Sequence, residues 1–172
     1  MEDLVMKFKT KYDFNAIKTF NKYNMYHKSV TWIITIIAIL IIIISICLKS
    51  METMYRITCC VIGITWILEI IFLPVLRAKS VMKTSNINKD AVVELEFKKE
   101  DIFMITKRKE DIISTSVMKY EDIYKVCNAN DYIYVYISKD QAILCSKENM
   151  TGKYSNFIKF LKGKIGKRYK GK

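Results

Sequence analysis

The sequence predicts an α+β membrane protein, in which a two-helix transmembrane hairpin is joined to a small antiparallel β-sheet or barrel closed by a C-terminal helix. Three observations predict it. Val30–Leu48 and Ile57–Leu76 carry one charge between them, Glu69, although 27% of the chain is charged. Short runs of β-branched and aromatic residues, separated by turn residues, fill the stretch from Val92 to Cys145. An apolar stripe at helical spacing then follows, made of Phe157, Phe160, Leu161 and Ile165. Together they divide the 172 residues into an N-terminal strand and interfacial helix (1–29), a hairpin (30–76) and a sheet-rich cytosolic block with a basic tail (77–172).

The N-terminus alternates. Leu4, Met6, Phe8, Thr10 and Tyr12 form one face and Val5, Lys7, Lys9 and Lys11 the other, which is the pattern of a half-buried strand. A lone strand is not stable, so this one is expected to join the sheet beyond the hairpin. Asp13 reads as the N-cap of a helix running from Phe14 to about His27.

The two apolar runs have 19 and 20 residues, enough at about 1.5 Å per residue to reach across roughly 30 Å of hydrocarbon. The first has no signal-peptide character, because 29 residues precede it and no small-x-small cleavage pattern follows. Eight residues, Lys49–Arg56, connect the runs, so the helices are antiparallel and both termini share a side. Lys and Arg number five over Lys9–Ser29, four over Arg77–Glu96 and two in the connecting loop, which places both termini in the cytosol. Trp32 and Tyr55 suit interfacial anchoring. Cys47 and Cys59 lie near the outer helix ends, where a disulfide is conceivable, but the five cysteines read as small apolar residues.

Beyond the hairpin, Arg77–Asn88 reads as a short helical extension. Strands are expected over Val92–Lys98, Ile102–Thr106, Ile112–Lys119, Tyr124–Ala129, Tyr132–Ser138 and Ala142–Cys145, with Tyr120–Ile123 as a one-turn helix or bend. A closing helix runs from about Lys153 to Lys164. Six short strands and a final helix match the order of a pleckstrin-homology-like fold. The run from Lys119 to Val126, then Asp131–Ser138 and Gln141-Ala142, resembles the YcxB-like protein family. That resemblance covers the layout of essentially the whole chain and is strongest from Tyr120 to Lys147. It implies a bacterial plasma-membrane protein with a pleckstrin-homology-like cytosolic domain, and it carries no activity with it. Where relatives have an apolar-Pro-Lys stretch, this chain reads Leu144-Cys145-Ser146-Lys147, so the lysine matches and the proline does not.

The net charge is +12, from 29 basic and 17 acidic residues. It is concentrated at the membrane flanks and the tail, without a nucleic-acid-binding module, so no nucleic-acid partner is expected. Lys162, Lys164, Lys167, Arg168, Lys170 and Lys172 are placed to touch anionic lipid headgroups. With one histidine and five scattered glycines, the chain offers no catalytic triad, metal-ligand pair or phosphate loop. No catalytic residue, metal or cofactor is expected. Carboxylate neighbours such as Glu100-Asp101 and Glu110-Asp111 read as solvated turns, and Glu121-Asp122 as the polar part of a bend.

Glu69 is the sharpest single residue, about 10 Å from the inner end of its span at 1.5 Å per residue. An ionised carboxylate at such depth costs roughly 2.5–3.5 kcal/mol or more. One reading is a neutral acid hydrogen-bonded to Thr35 or Thr65; others are a contact in a homo-oligomer or with a partner protein, or a proton path. The leading expectation is a non-enzymatic, membrane-tethered interaction module for a protein or an anionic headgroup. Tyr132, Tyr134 and Tyr136, on one face of a strand, are candidates for a partner surface. An immunity-type protein guarding the membrane against a toxin, or a subunit of a membrane assembly, are the alternatives.

Overall fold

A computed structural model describes residues 4–48, 52–84, 91–109 and 111–171. Lys49, Lys89, Glu110 and Lys172 lie outside the described residues. The chain forms two compact units: a sheet unit made of Met1–Asp13 together with Ile87–Lys172, and a helical unit, Phe14–Asn86. The N-terminal strand thus belongs with the C-terminal block, although the whole helical unit separates them in sequence.

In the sheet unit, β1 (Leu4–Lys11), β2 (Ala91–Lys98), β3 (Asp101–Arg108) and β4 (Asp111–Lys119) are followed by a one-turn helix over Tyr120–Asp122. Then come β5 (Lys125–Asn128), β6 (Tyr132–Tyr136), β7 (Ala142–Ser146), β8 (Met150–Thr151), α4 (Tyr154–Ile165) and β9 (Tyr169–Lys170). The strands make two sheets, ordered β4-β3-β2-β1-β8 and β7-β6-β5-β9. They do not close into a barrel, so of the two forms expected the open sheets are the ones present. All pairings are antiparallel except β5 with β9, which is parallel.

The basic tail, expected from its charge to lie at lipid headgroups, returns in part to the sheet unit. Gly166 ends α4 at φ 54°, a left-handed conformation that glycine adopts without steric cost. The chain then turns back, and Tyr169 and Lys170 pair with Val126 and Cys127.

The core lies where the sheets and α4 meet. Alternation sends Met6 and Phe8 of β1, Leu95 and Phe97 of β2, and Ile133 and Val135 of β6 into it. Helical spacing sends Phe157, Leu161 and Ile165 of α4 to the same place. Phe8, Phe97 and Phe157 pack edge to face, with centroids 4.8–5.7 Å apart. On the other side of β2, Lys7 reaches both Glu94 and Glu96 at 2.9 Å, and Lys107 reaches Glu94 at 3.0 Å. Burial favours the neutral Glu94 acid, but the hydrogen bonds from the two lysines outweigh it and hold the carboxyl below its ordinary range.

The even face of β1 changes character along its length. Past Phe8 it becomes polar, and these polar groups meet β7, an edge strand of the second sheet. Thr10 Oγ1 accepts the Ser146 N–H at 2.8 Å, and the Tyr12 hydroxyl accepts the Leu144 N–H at 2.9 Å. Two outward-facing donors of an edge strand are thereby satisfied by side chains of the neighbouring sheet. The turn before β5 is tied in similarly: Asp122 caps the Lys119 N–H and the Tyr120 hydroxyl donates to the Lys98 carbonyl at 2.6 Å.

The helical unit contains α1 (Phe14–Tyr26), α2 (Ser29–Cys47) and α3 (Thr53–Thr84). The helix carrying the second apolar run is longer than that run, with 32 residues continuing through Pro74. α2 and α3 are each long and apolar enough to cross a membrane. Cys47 and Cys59 are free thiols.

Replacing Thr10 by valine, which keeps the shape and removes the acceptor, should leave the Ser146 N–H unpaired and cost about 1–3 kcal/mol. Thr10→Ser should retain most of the stability. Thermal unfolding of the full chain measures the cost, and amide exchange at Ser146, accelerated in Thr10→Val alone, locates it.

Candidate functional site

The geometry of the helical unit starts from one residue without a side chain. A Cβ placed on Gly63 of α3 would fall 2.6 Å from Ile42 Cγ1 and 3.2 Å from the Ala38 carbonyl oxygen of α2. The helices therefore touch backbone to backbone here, with Ala38 only 6% exposed, a small-residue contact of the kind that sets helix register.

At the end of the pair nearer α1, the same unit holds a cavity of about 400 Å³. α3 lines it with Trp66, Glu69, Ile70, Leu73 and Arg77, which share one helical face at spacings of three and four. α1 contributes Asn21, Asn24 and Met25, and the N-cap residue of α2 contributes Lys28. Val30, Thr31 and Ile34 of α2 complete the wall. α1 is fixed against α3 by the Asn21 side-chain amide, 3.5 Å from the Pro74 carbonyl, and against α2 by the Trp32 indole, which donates to the Tyr26 carbonyl at 2.8 Å. Pro74 has no N–H, so the Ile70 carbonyl one turn earlier lacks its helical donor. The Trp66 Nε1–H is buried and meets no acceptor among the described residues.

Among the polar groups of this cavity, hydrogen-bond donors outnumber the single carboxylate: a guanidinium, an ammonium, two carboxamides and an unpartnered indole N–H stand against Glu69. Arg77 and Glu69 are eight residues apart, about 12 Å along the helix, so the cationic end and the carboxylate occupy different levels. Such a space suits a ligand with several acceptor oxygens at the Arg77 end.

Of the residues singled out from sequence, Glu69 lines the cavity and is exposed. Thr35 and Thr65 do not line it. Each hydroxyl bonds back into its own helix, Thr35 to the Thr31 carbonyl at 2.7 Å and Thr65 to the Val61 carbonyl at 2.8 Å. Thr35 was expected beside Glu69, whereas the cavity contains Thr31, one turn earlier.

The tail residues take several places. Arg168 donates to the carbonyls of Glu121 and Ile123 at 2.8 and 2.7 Å, and Lys164 sits 3.4 Å from the Glu100 carboxylate. Lys162 lies over the Tyr169 ring, Lys170 is in β9, and Lys167 is exposed.

Tyr134 and Tyr136 are each 1% exposed, so they do not form an open partner surface. β6 has a neighbour on either side. Tyr132 stacks on Tyr134 with centroids 6.1 Å apart, and the Lys125 ammonium lies 4.3 Å from the centre of the Tyr136 ring. Burial pushes the Tyr136 phenol up to about 12. Only Tyr132 keeps intermediate exposure.

Lys147, the matching lysine of the motif, donates to the Ala129 carbonyl and lies over the Tyr154 ring, holding the turn before β6. Arg77, Lys28, Asn21, Asn24 and Trp66 were not singled out as site residues from the sequence. Their signal was available as two helical stripes of polar residues, but only packing shows that the stripes face each other. Comparison of the chain with protein-family models, with curated proteins and with solved structures finds no match.

Because Gly63 sets the register that shapes this cavity, Gly63→Val should push α2 and α3 apart and cost about 1–3 kcal/mol. Both tryptophans, Trp32 and Trp66, belong to the helical unit, so tryptophan fluorescence during thermal unfolding reads that unit alone. A lower midpoint and an altered Trp66 emission are expected.

Proposed function

We propose that the chain is an integral membrane protein of the YcxB-like kind, with α2 and α3 crossing the bilayer and both flanks of the hairpin in the bacterial cytosol. Its role is that of a non-enzymatic, membrane-tethered module that binds an anionic lipid headgroup at the inner leaflet. The observation that carries this reading is the cavity of about 400 Å³ with several hydrogen-bond donors in its wall, where Lys28 precedes α2 and Arg77 follows the apolar run of α3. Cations at that level of a membrane helix meet phosphate oxygens, and the asparagine amides add directional donors. The apolar surface supports the bilayer setting. Ile33, Ile36, Ile43, Ile57, Ile64 and Phe72 are all more than 48% exposed, a display that water would penalise and lipid would not. In this reading the headgroup site lies at the end of the hairpin, because Arg168 and Lys164 of the tail are engaged with the sheet unit. Exposed Lys167 and Lys170 add general attraction to an anionic surface.

The topology is tested by cysteine labelling of intact cells in a background without native cysteines. Glu52→Cys should react with an impermeant maleimide, and Lys167→Cys should react only after permeabilisation. Labelling of Lys167→Cys in intact cells would overturn the orientation.

The headgroup reading is tested on the full chain in detergent, with tryptophan fluorescence as the probe of melting. Phosphatidylglycerol should raise the midpoint more than phosphatidylcholine does. Arg77→Gln should remove most of the difference and Lys139→Gln, at an exposed turn, should leave it. Equal shifts with the two lipids in the native chain would show that the cavity does not select an anionic headgroup.

A further inference from the structure

β4 is the end strand of the five-stranded sheet, and among the described residues its ladder is to β3 alone. Every residue from Asp111 to Lys119 is exposed except Met118, which is half-buried, and Ile112, Ile113 and Val117 are 62%, 50% and 56% exposed. Edge strands in soluble sheets are usually short or interrupted by charge or proline. This one has nine residues, no proline, and no charge between Asp111 and Lys119. Ile112 pairs with Lys107 and Ser114 with Thr106, so Ile113 is a bulged residue; from Ser114 to Lys119 the ladder is regular.

The residues of this edge are complementary to themselves. From the sheet topology and the order Asp-Ile-Ile-Ser-Thr-Ser-Val-Met-Lys, we infer that β4 pairs antiparallel with β4 of a second copy of this chain, about a two-fold axis at Thr115. In that register Thr115 meets Thr115, Ser114 meets Ser116, and Ile113 meets Val117. Beyond the bulge, Ile112 and Asp111 run toward Met118 and Lys119 of the second copy. Apolar residues face apolar ones, hydroxyls face hydroxyls, and each end of the new ladder brings a carboxylate to an ammonium. The neighbouring registers lose this match. Moving the axis to Ser114 sets Asp111 against Val117, and moving it to Ser116 sets Ile113 against Lys119. A closed two-fold contact uses the same patch on both copies and leaves no further open β4 edge. The result is a continuous sheet of ten strands, formed from two five-stranded ones. This inference does not rest on the lipid reading.

The test uses the full chain in detergent. Light scattering should show a dimer, and mild oxidation of Thr115→Cys should give a disulfide-linked dimer that neither the unsubstituted chain nor Lys139→Cys gives, because residues on the axis face each other across about 5 Å. Val117→Lys should weaken the dimer about tenfold, since symmetry counts the substitution twice. Adding Ile113→Glu to Val117→Lys should restore it, because the new carboxylate then faces the new ammonium across the interface. Far-UV circular dichroism should be unchanged in all four variants, since the substituted positions are exposed. A chain that is monomeric at every concentration, a dimer that yields no Thr115→Cys disulfide, or a dimer that Val117→Lys leaves at full strength would each overturn the proposal.

Discussion

The sheet unit depends on how β1 divides its work along one face. Met6 and Phe8 fill the core against Phe97 and Phe157, while Thr10 and Tyr12, on the same face, satisfy the backbone N–H groups of Ser146 and Leu144 at the edge of the other sheet. The first half of the strand supplies apolar contact, which is roughly proportional to area and has no preferred direction. The second half supplies hydrogen bonds, which are directional and fix where β7 sits. Neither half alone would set both the depth and the alignment of the two sheets. Because β1 precedes the helical unit and its partners follow it, the sheet unit cannot be completed until the whole chain is available. Its contacts have large sequence separations, and such topologies fold slowly.

In the helical unit the equivalent constraint is Gly63. The apolar runs of α2 and α3 are rich in large aliphatic side chains, and such surfaces alone do not distinguish one register from the next. The missing Cβ lets the backbones meet at Ala38 and Ile42, and that single contact selects a register. The register then brings Thr31 and Ile34 opposite Trp66 and Glu69 and leaves space between them. The polar groups of the cavity are a consequence of this offset, completed by Asn21 and Asn24 of α1 and by Lys28 at the cap of α2.

The two units use basic residues differently. In the tail, a guanidinium with several planar donors suits convergent carbonyls, and Arg168 accordingly holds the turn at Glu121 and Ile123. Lysines with flexible stems lie over rings, as Lys162, Lys147 and Lys125 do. Net charge therefore overstates the number of cations free to meet an external partner. Arg77 and Lys28 instead line an open space.

Much of the architecture was legible in the residue order because its signals are local. Alternation over Leu4–Lys11 and Ala91–Lys98 defines strands, spacing over Phe157–Ile165 defines the closing helix, and two long apolar runs define α2 and α3. That β1 joins the sheet beyond the hairpin was also accessible, because an isolated half-buried strand needs a partner and the remaining strands all lie there; its place between β2 and β8 was not. Whether the strands close into a barrel was not, since closure depends on tilt and stagger, which residue patterning does not encode. Nor was the return of the tail as β9, which follows from the turn at Gly166 and a free edge on β5. Glu69 stood out as a charge in an apolar run, but its neighbours did not. Counting residues from a loop gives depth to within about a turn, whereas a close contact such as Gly63 against Ala38 decides which side chains share a level. The sequence by itself therefore determined which segments are strands and which are apolar helices, because periodicity is a property of consecutive residues. Only the tertiary structure decided which polar groups meet, because that depends on contacts between residues far apart in the chain.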